Sequence, residues 1–352
     1  MSTIDSNKTR RLREALKGIF EESGLRPEEI MRMVEYGSKG YNTHFSPYRR
    51  EGFEVSYALY FLPEHIPKVF ILLNELQKRF TDRLRAIEEI IDVGCGAGTA
   101  AIAYSIFFEK TGQLRLIDRE KRFLKVAMDI LKRFNMENIK TTRCDYVNSD
   151  IVSALPSLYF FTNTISENIN RLDRIVSLIN RILVQHSSNM IVVIEPLSKN
   201  GRDAMIKLRN EFADRVLMPC ISPGACPLIK SDNSVCQYSI RQDISKSLEV
   251  VVSSTHRMAK FYYLVLSSEM PENQSNLFRI LQYPSKRPYG FDIRVCNQKA
   301  IGELRIKTSS SLENSIINQL SPNDVISLDP SIEISTNRPV DFARFKSGLI
   351  RL

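Results

Sequence analysis

The seven residues DVGCGAG, Asp92 to Gly98, constrain this chain more than any other stretch. A short apolar run, Ile90 to Val93, leads into them, and an apolar helical stretch leads out from about Thr99. Strand, glycine turn and helix in that order open a βαβ unit. Glycine suits such a turn because backbone N–H groups must approach a ligand at a helix N-terminus with no Cβ in the way. A dinucleotide fingerprint would carry its third glycine at position 99, where this chain has Thr99. The alternating Gly94, Gly96 and Gly98 after Asp92 fit an S-adenosylmethionine site instead, with the amino-acid end of the cofactor against the loop. Asp118 closes the next strand, where an acid accepts hydrogen bonds from a ribose diol, and Asp145 closes the third, where it is expected to meet the adenine amine.

Further strands are predicted at LRLID (114 to 118), KTTRC (140 to 144), LYFFTN (158 to 163) and MIVVIEP (190 to 196), separated by helical stretches such as KRFLKVAMDILKRF. This alternation predicts an α/β fold whose mostly parallel sheet is covered on both faces. Before it, LREALKGIFEES, PEEIMRMVEYG and PEHIPKVFILLNELQKRF repeat apolar residues at helical spacing, punctuated by Pro27 and Pro63. After residue 245, LEVVVSS, AKFYYLVLSS, FDIRVC and GELRIK are β-rich, and are expected to supply an antiparallel end of the sheet and a small β extension. The expected division is a helical region over 1–80, a Rossmann-like core over 81–245 with a cysteine loop at 218–236, a β-rich part over 246–307 that completes the sheet, and an irregular basic tail over 308–352, rich in Ser, Asn and Pro.

With 43% hydrophobic residues, the 352-residue chain can bury an ordinary core, so a globular protein is expected, as a monomer. Its net charge of +9 suits a polyanionic partner such as RNA. The basic residues cluster at Lys8, Arg10, Arg11 and Arg13, at Arg49 and Arg50 beside Tyr48, at Lys286 and Arg287 beside Tyr289, and at Arg338, Arg344, Lys346 and Arg351; for any one cluster a solvated face is the competing reading. No apolar run reaches the roughly 18 residues that span a bilayer, so no membrane is expected. Early acids such as Asp5 and Glu14, and the lack of an apolar leader, predict neither a secretory signal nor a transit peptide. A reducing compartment follows, the bacterial cytoplasm first and the mitochondrial matrix as alternative.

Catalytic signals are sparse. Amino-methylating enzymes of this class often carry an Asn/Asp-Pro-Pro-aromatic turn after the fourth strand, and here that position reads NTISEN, 163 to 168. Cys95, inside the glycine loop, and Cys144, at a strand end, are read as packing residues rather than nucleophiles. Glu167 and Glu195 are the acids left at the carboxyl edge of the sheet, candidates for a general base with capping or hydrogen bonding as the competing role. His44, His65, His186 and His256 form no ligand pattern.

The stretch MPCISPGACPLIKSDNSVC, 218 to 236, holds three of the six cysteines, Cys220, Cys226 and Cys236, and Cys296 ends FDIRVC. Four thiolates from a loop and a distant strand can hold an iron–sulfur cluster, which is wider than a single zinc ion. The closely spaced Cys pairs of zinc sites are absent. Pro219, Pro223 and Pro227 stiffen the loop, and Gly224 is expected to let backbone N–H groups turn toward sulfur. Buried structural cysteines account for the spacing equally well.

The order PCxxxGxCPL, a third Cys, AKFYYLVL, KRPYGFDIRVC and IGELRIK, together with YALYFLPEHIPKV, the glycine loop and Glu195-Pro196, resembles a known family over residues 50 to 307. It is the mitochondrial and bacterial small-ribosomal-subunit assembly family of methyltransferase-like proteins. The resemblance implies a class I methyltransferase fold, a [4Fe-4S] cluster on Cys220, Cys226, Cys236 and Cys296, a cofactor loop at Asp92 to Gly98, and binding to small-subunit rRNA during assembly, in support of translation. This chain departs from the family in having ISPGA, where His and Asp are common, and VCQYS, where an aromatic-Cys-His is common, which alters the surroundings of the ligands. Two functions follow: an assembly factor that holds immature rRNA, or an active S-adenosylmethionine-dependent rRNA base methyltransferase. A radical S-adenosylmethionine enzyme is the weaker alternative, because such enzymes use a Cx3Cx2C spacing that this chain lacks.

Overall fold

The computed structural model describes residues 6–40, 48, 50–109, 112–221, 224–233, 235–241, 249–250, 258–269, 277–297, 300–308, 310–327 and 340–342. The chain divides into two compact units, Met1–Thr164 with Ile240–Ala259, and Ile165–Ser239 with Lys260–Leu352.

The first unit opens with three helices, α1 (Ser6–Ser23), α2 (Pro27–Gly40) and α3 (Phe53–Arg79). In α1 the buried residues Leu12, Ala15, Leu16 and Ile19 fall on one helical stripe. Pro63 does not break the third helix as its position predicts: α3 runs through both Pro63 and Pro67 for 27 residues. A proline inside a helix costs about 3 kcal/mol. Leu59, Leu62, Ile66, Val69, Leu73 and Leu76 are all buried along one face of α3, and each such side chain contributes about 1.5–3 kcal/mol. The buried face outweighs the two lost backbone bonds.

A short α4 (Thr81–Arg85) leads to β1 (Glu89–Val93), α5 (Thr99–Phe108), β2 (Gln113–Asp118), α6 (Lys121–Lys132), β3 (Ile139–Arg143) and β4 (Ser157–Thr162). The strands lie in the order β3-β2-β1-β4, every pair parallel. Val93 sits opposite both Ile117 and Phe161, and Asp118 opposite Arg143. The carboxyl ends of all four strands therefore share one edge. All five residues of β1 are buried, which accounts for an apolar run with no alternation.

The second unit contains α7 (Leu172–Gln185), β5 (Met190–Pro196), α8 (Lys199–Glu211), β6 (Val216–Met218) and α9 (Pro227–Asp232), followed by β7 (Gln237–Arg241) and β8 (Met258–Ser267). β8 pairs antiparallel with β5 on one side and β6 on the other. A second sheet follows, built from β9 (Leu277–Ile280), β10 (Ser285–Arg287), β11 (Gly290–Cys296), β12 (Ile301–Lys307), β13 (Val325–Ser327) and β14 (Val340–Phe342). Its order is β13-β9-β11-β12-β14, with β10 on β11. Phe278, Phe291, Ile293, Leu304, Ile317 and Ile326 belong to its buried core.

Residues 308–352, expected to be irregular, contain α10 (Ser311–Asn318), β13 and β14. Ser310 and Glu313 form a reciprocal capping box at the start of α10, so part of the polar composition there is helix-capping chemistry. Of the LEVVVSS stretch, Leu248 and residues 251–254 lie outside the described residues. The parallel α/β alternation with a late antiparallel strand is the class I, Rossmann-like methyltransferase fold. Among the described residues, no helix is long and apolar enough to cross a membrane.

Candidate functional site

Within the first unit, the glycine loop joins β1 to α5 and turns three times through left-handed backbone, with φ of 62° at Gly94, 52° at Gly96 and 84° at Gly98. The three glycines have different neighbours. A Cβ on Gly94 would collide with the Thr164 side chain, and one on Gly98 would lie 2.9 Å from Ala127 Cβ. One on Gly96 would meet nothing nearer than 3.9 Å, where Phe123 and Tyr57 begin. The loop is thus packed at its two ends and open at its centre, the shape that admits a ligand against backbone.

Asp92 does not face that opening. It is 1% exposed, and its Oδ2 accepts the Ala100 and Ala101 N–H groups at 3.2 and 3.0 Å. It caps the first turn of α5, and burial raises its carboxyl to about 7 against those two hydrogen bonds. Asp118 lies at the end of β2, where its Oδ2 accepts Gly96 N–H at 2.9 Å and its Oδ1 accepts Glu120 N–H at 2.9 Å. Burial raises its carboxyl as well. Each carboxylate oxygen can accept more than one hydrogen bond, so Asp118 retains acceptor capacity while it shapes the loop. Asp145 accepts from Val147 N–H at 3.2 Å and from Asn148 Nδ2 at 2.7 Å, a local turn after β3.

Cys95 is 6% exposed, and burial pushes its thiol well up, which fits the packing role expected of it. The aromatic side chains beside the loop form a cluster that the sequence did not announce. Tyr48, Tyr57 and Phe53 pack edge-on around Phe123, with centroids 5.7, 5.3 and 6.2 Å away. The Arg119 guanidinium lies 5.7 Å from the Tyr48 ring, and Arg50 lies 5.2 Å from Tyr36. These cations stand on aromatic faces, an arrangement suited to nucleobases or to simple packing.

In the second unit, the two candidate bases part company. Glu195 is fully buried, and its two oxygens accept the Ile165 and Ser166 N–H groups at 2.8 and 3.2 Å. Glu167 is exposed, in a 3₁₀ segment over Ser166–Arg171. Glu195 therefore takes the hydrogen-bonding role that competed with catalysis.

The cysteines of the second unit converge. Cys220, Cys226 and Cys296 are 9%, 7% and 8% exposed, and Cys236 is half-buried. None of the six cysteines is in a disulfide. Burial, then the neighbouring Cys220 and Cys296, push the Cys236 thiol well above its ordinary value, while Arg279 pulls the other way. Burial and then Cys220 raise the Cys226 thiol, against backbone groups of Leu228 and Ile229 and the Arg209 charge. Cys236 thus lies near the other three thiols, and Cys226 near Cys220. A thiol-only donor set suits an iron–sulfur cluster. Among the described residues, however, no group of three or more His, Cys, Asp or Glu is arranged to hold a metal ion.

Two arginines frame this region, neither of them legible in the sequence. Arg209 is 2% exposed and donates from Nε to Cys220 Sγ at 3.2 Å, from Nη2 to Gly224 O at 2.6 Å and from Nη1 to Ala213 O at 3.4 Å. Arg279, also 2% exposed, donates from Nη1 to Tyr263 Oη and to Asn323 O, and pairs in register with Cys296. The role expected of Gly224 is different in the structure: its N–H donates to Ala213 O at 3.1 Å rather than toward sulfur. Pro223 lies outside the described residues, as do Arg49, His44, His256 and the tail cluster Arg338, Arg344, Lys346 and Arg351. Within the Lys286–Tyr289 cluster, Arg287 is paired to Asp292 at 2.6 Å.

Several solved methyltransferases are similar to parts of this chain. A precorrin-6y C5,15-methyltransferase from Geobacter metallireducens is 14% identical, with a TM-score of 0.32 over 54% of this chain and 85% of that one. An rRNA methylase from Streptococcus thermophilus is 10% identical, with a TM-score of 0.32 over 52% and 87%. A putative RNA methyltransferase from Pyrococcus horikoshii is 11% identical, with a TM-score of 0.35 over 57% and 82%. No curated protein matches the chain. The family described as mitochondrial small ribosomal subunit Rsm22 matches residues 53–313 of the 352, a span that includes the glycine loop, Asp118, Asp145 and all four converging cysteines. The chain belongs to that mitochondrial small ribosomal subunit family.

Proposed function

We propose that this chain is a small-ribosomal-subunit assembly factor that binds rRNA, holds S-adenosylmethionine at the glycine loop and carries a [4Fe-4S] cluster on Cys220, Cys226, Cys236 and Cys296. What supports the reading is the family match, whose span includes all four cysteines, beside the nearness of Cys236 to the other three. Gly94, Gly96, Gly98 and Asp118 are the proposed cofactor residues, with Asp145 at the adenine end and Asp92 acting through the cap of α5. The cluster would serve to tie the loop to β11. The family description favours the mitochondrion over the bacterial cytoplasm as the place of action.

A binding role is favoured over methyl transfer by one feature. Glu195, the buried candidate base, is spent on two backbone N–H groups, and Glu167 is exposed. The test is iron and acid-labile sulfide content, with an absorption spectrum, on protein purified without oxygen beside Cys296→Ser. About four irons per chain, lost in the variant, support the reading. Iron-free wild-type protein, or one zinc per chain, sinks the cluster.

A further inference from the structure

Among the described residues, Tyr283 and Tyr289 are the two aromatic side chains that stand exposed, at 56% and 37%. They flank a single short strand: Tyr283 leads into β10 and Tyr289 follows it. Register places Ser285 of β10 in a row with Asp292 of β11 and Arg305 of β12, and Arg287 in a row with Gly290 and Lys307. Directly opposed side chains lie on the same side of a sheet. Phe291, Ile293, Leu304 and Ile306 alternate with these and belong to the buried core. On the face away from that core, β10, β11 and β12 carry Arg287, Arg294, Arg305 and Lys307 against the acids Asp292 and Glu303, a surplus of positive charge.

Two of these groups are fixed in place. Asp292 is 8% exposed; its Oδ2 accepts Arg287 Nε at 2.6 Å, and its Oδ1 accepts the Tyr289 hydroxyl. A guanidinium held through Nε still has its Nη donors to offer, and a group ordered in advance loses less entropy when it binds an anion. Exposed rings suit the faces of unpaired bases, which a duplex hides, and neighbouring cations suit the phosphates. We propose that the β10 edge of the second sheet binds a single-stranded RNA segment, with bases on Tyr283 and Tyr289 and the backbone on Arg287 and Lys307. This rests on the rRNA-binding reading above, and goes further by naming the surface and the strandedness of the RNA.

Fluorescence anisotropy of the full chain with a short unstructured single-stranded RNA, and with the same sequence as a duplex, tests this. Tyr283→Ala should weaken the single strand about tenfold, the scale of one lost stacking contact, and leave the duplex within about twofold. Tyr283→Phe keeps the ring and should bind as wild type. Lys307→Ala should reduce the slope of log affinity against log[salt] by about 0.7, one phosphate contact on a single strand. Tyr283 and Lys307 are both exposed, so these variants should keep the wild-type Tm. Unchanged binding in Tyr283→Ala, or an equal loss for single strand and duplex, overturns the stacking edge and leaves the rRNA reading standing. A poly-glutamate probe that Tyr283→Ala weakens by the same factor as RNA assigns the face to an acidic protein instead. Wild-type protein that binds neither form of RNA removes both readings.

Discussion

Asp92 shows how a residue at a glycine loop can hold an unexpected job. The sequence puts it at the mouth of a cofactor loop, but its carboxylate points into the α5 N-terminus and is buried with a pKa of about 7. A folded-state value above the ordinary 3.8 means that the native protein keeps a proton the unfolded chain releases first. The stabilising contribution is full below about pH 4 and is lost as pH rises toward 7. Asn at this position keeps an acceptor for Ala100 and Ala101 and cannot ionise. Asp92→Asn should therefore flatten the Tm-against-pH curve between about pH 4 and 7 relative to wild type. Two parallel curves would show that the pH dependence arises elsewhere. Spacing revealed the loop because glycine leaves a visible mark; it could not reveal which way each carboxylate turns.

At the scale of elements, β1 to β5 were legible to within a residue, since β1, β4 and β5 are short buried apolar runs between turn residues, while the short strands β6, β9, β13 and β14 left no such mark. Two helices also departed from the sequence reading. Pro63 suggested a break in α3, and the polar stretch around Ser310 and Asn314 concealed α10. In α3 tertiary burial overrode local propensity, whereas at α10 the capping box was a local signal hidden in a polar stretch. The cysteine loop was visible as a cluster, but the Arg209 clamp was not, because an arginine in the helix KNGRDAMIKLRNE looks like a surface residue. Its three donors join α8 to Cys220, Gly224 and Ala213. Arg209→Met should cost about 2–4 kcal/mol, since it fills the space but strands carbonyl acceptors in a buried site. Limited proteolysis should then cut between residues 213 and 226 in the variant first. Unchanged stability and cleavage would mean that the loop is held by other contacts.

For the whole molecule, charge and family make one joint prediction. A chain with net charge +9 that acts on rRNA should lose affinity linearly in log[salt], with a slope of about −0.7 per phosphate neutralised on single-stranded RNA. Filter binding of a small-subunit rRNA fragment from about 50 to 200 mM salt measures it. A flat line would remove the electrostatic basis of the proposal. The strand order β5-β8-β6 also bears on how the protein is made. Synthesis proceeds from the N-terminus, so β5 and β6 both exist, with nothing yet to join them, while residues 219 to 257 are still being added. Three of the four converging thiols emerge before β8, and Cys296 emerges after it. The nascent chain therefore exposes unpaired strand edges and an incomplete set of thiols at the same time: a premature stop before β8 leaves a product with neither the joined strands nor the fourth thiol, and one between β8 and β11 leaves the strands joined but Cys296 missing.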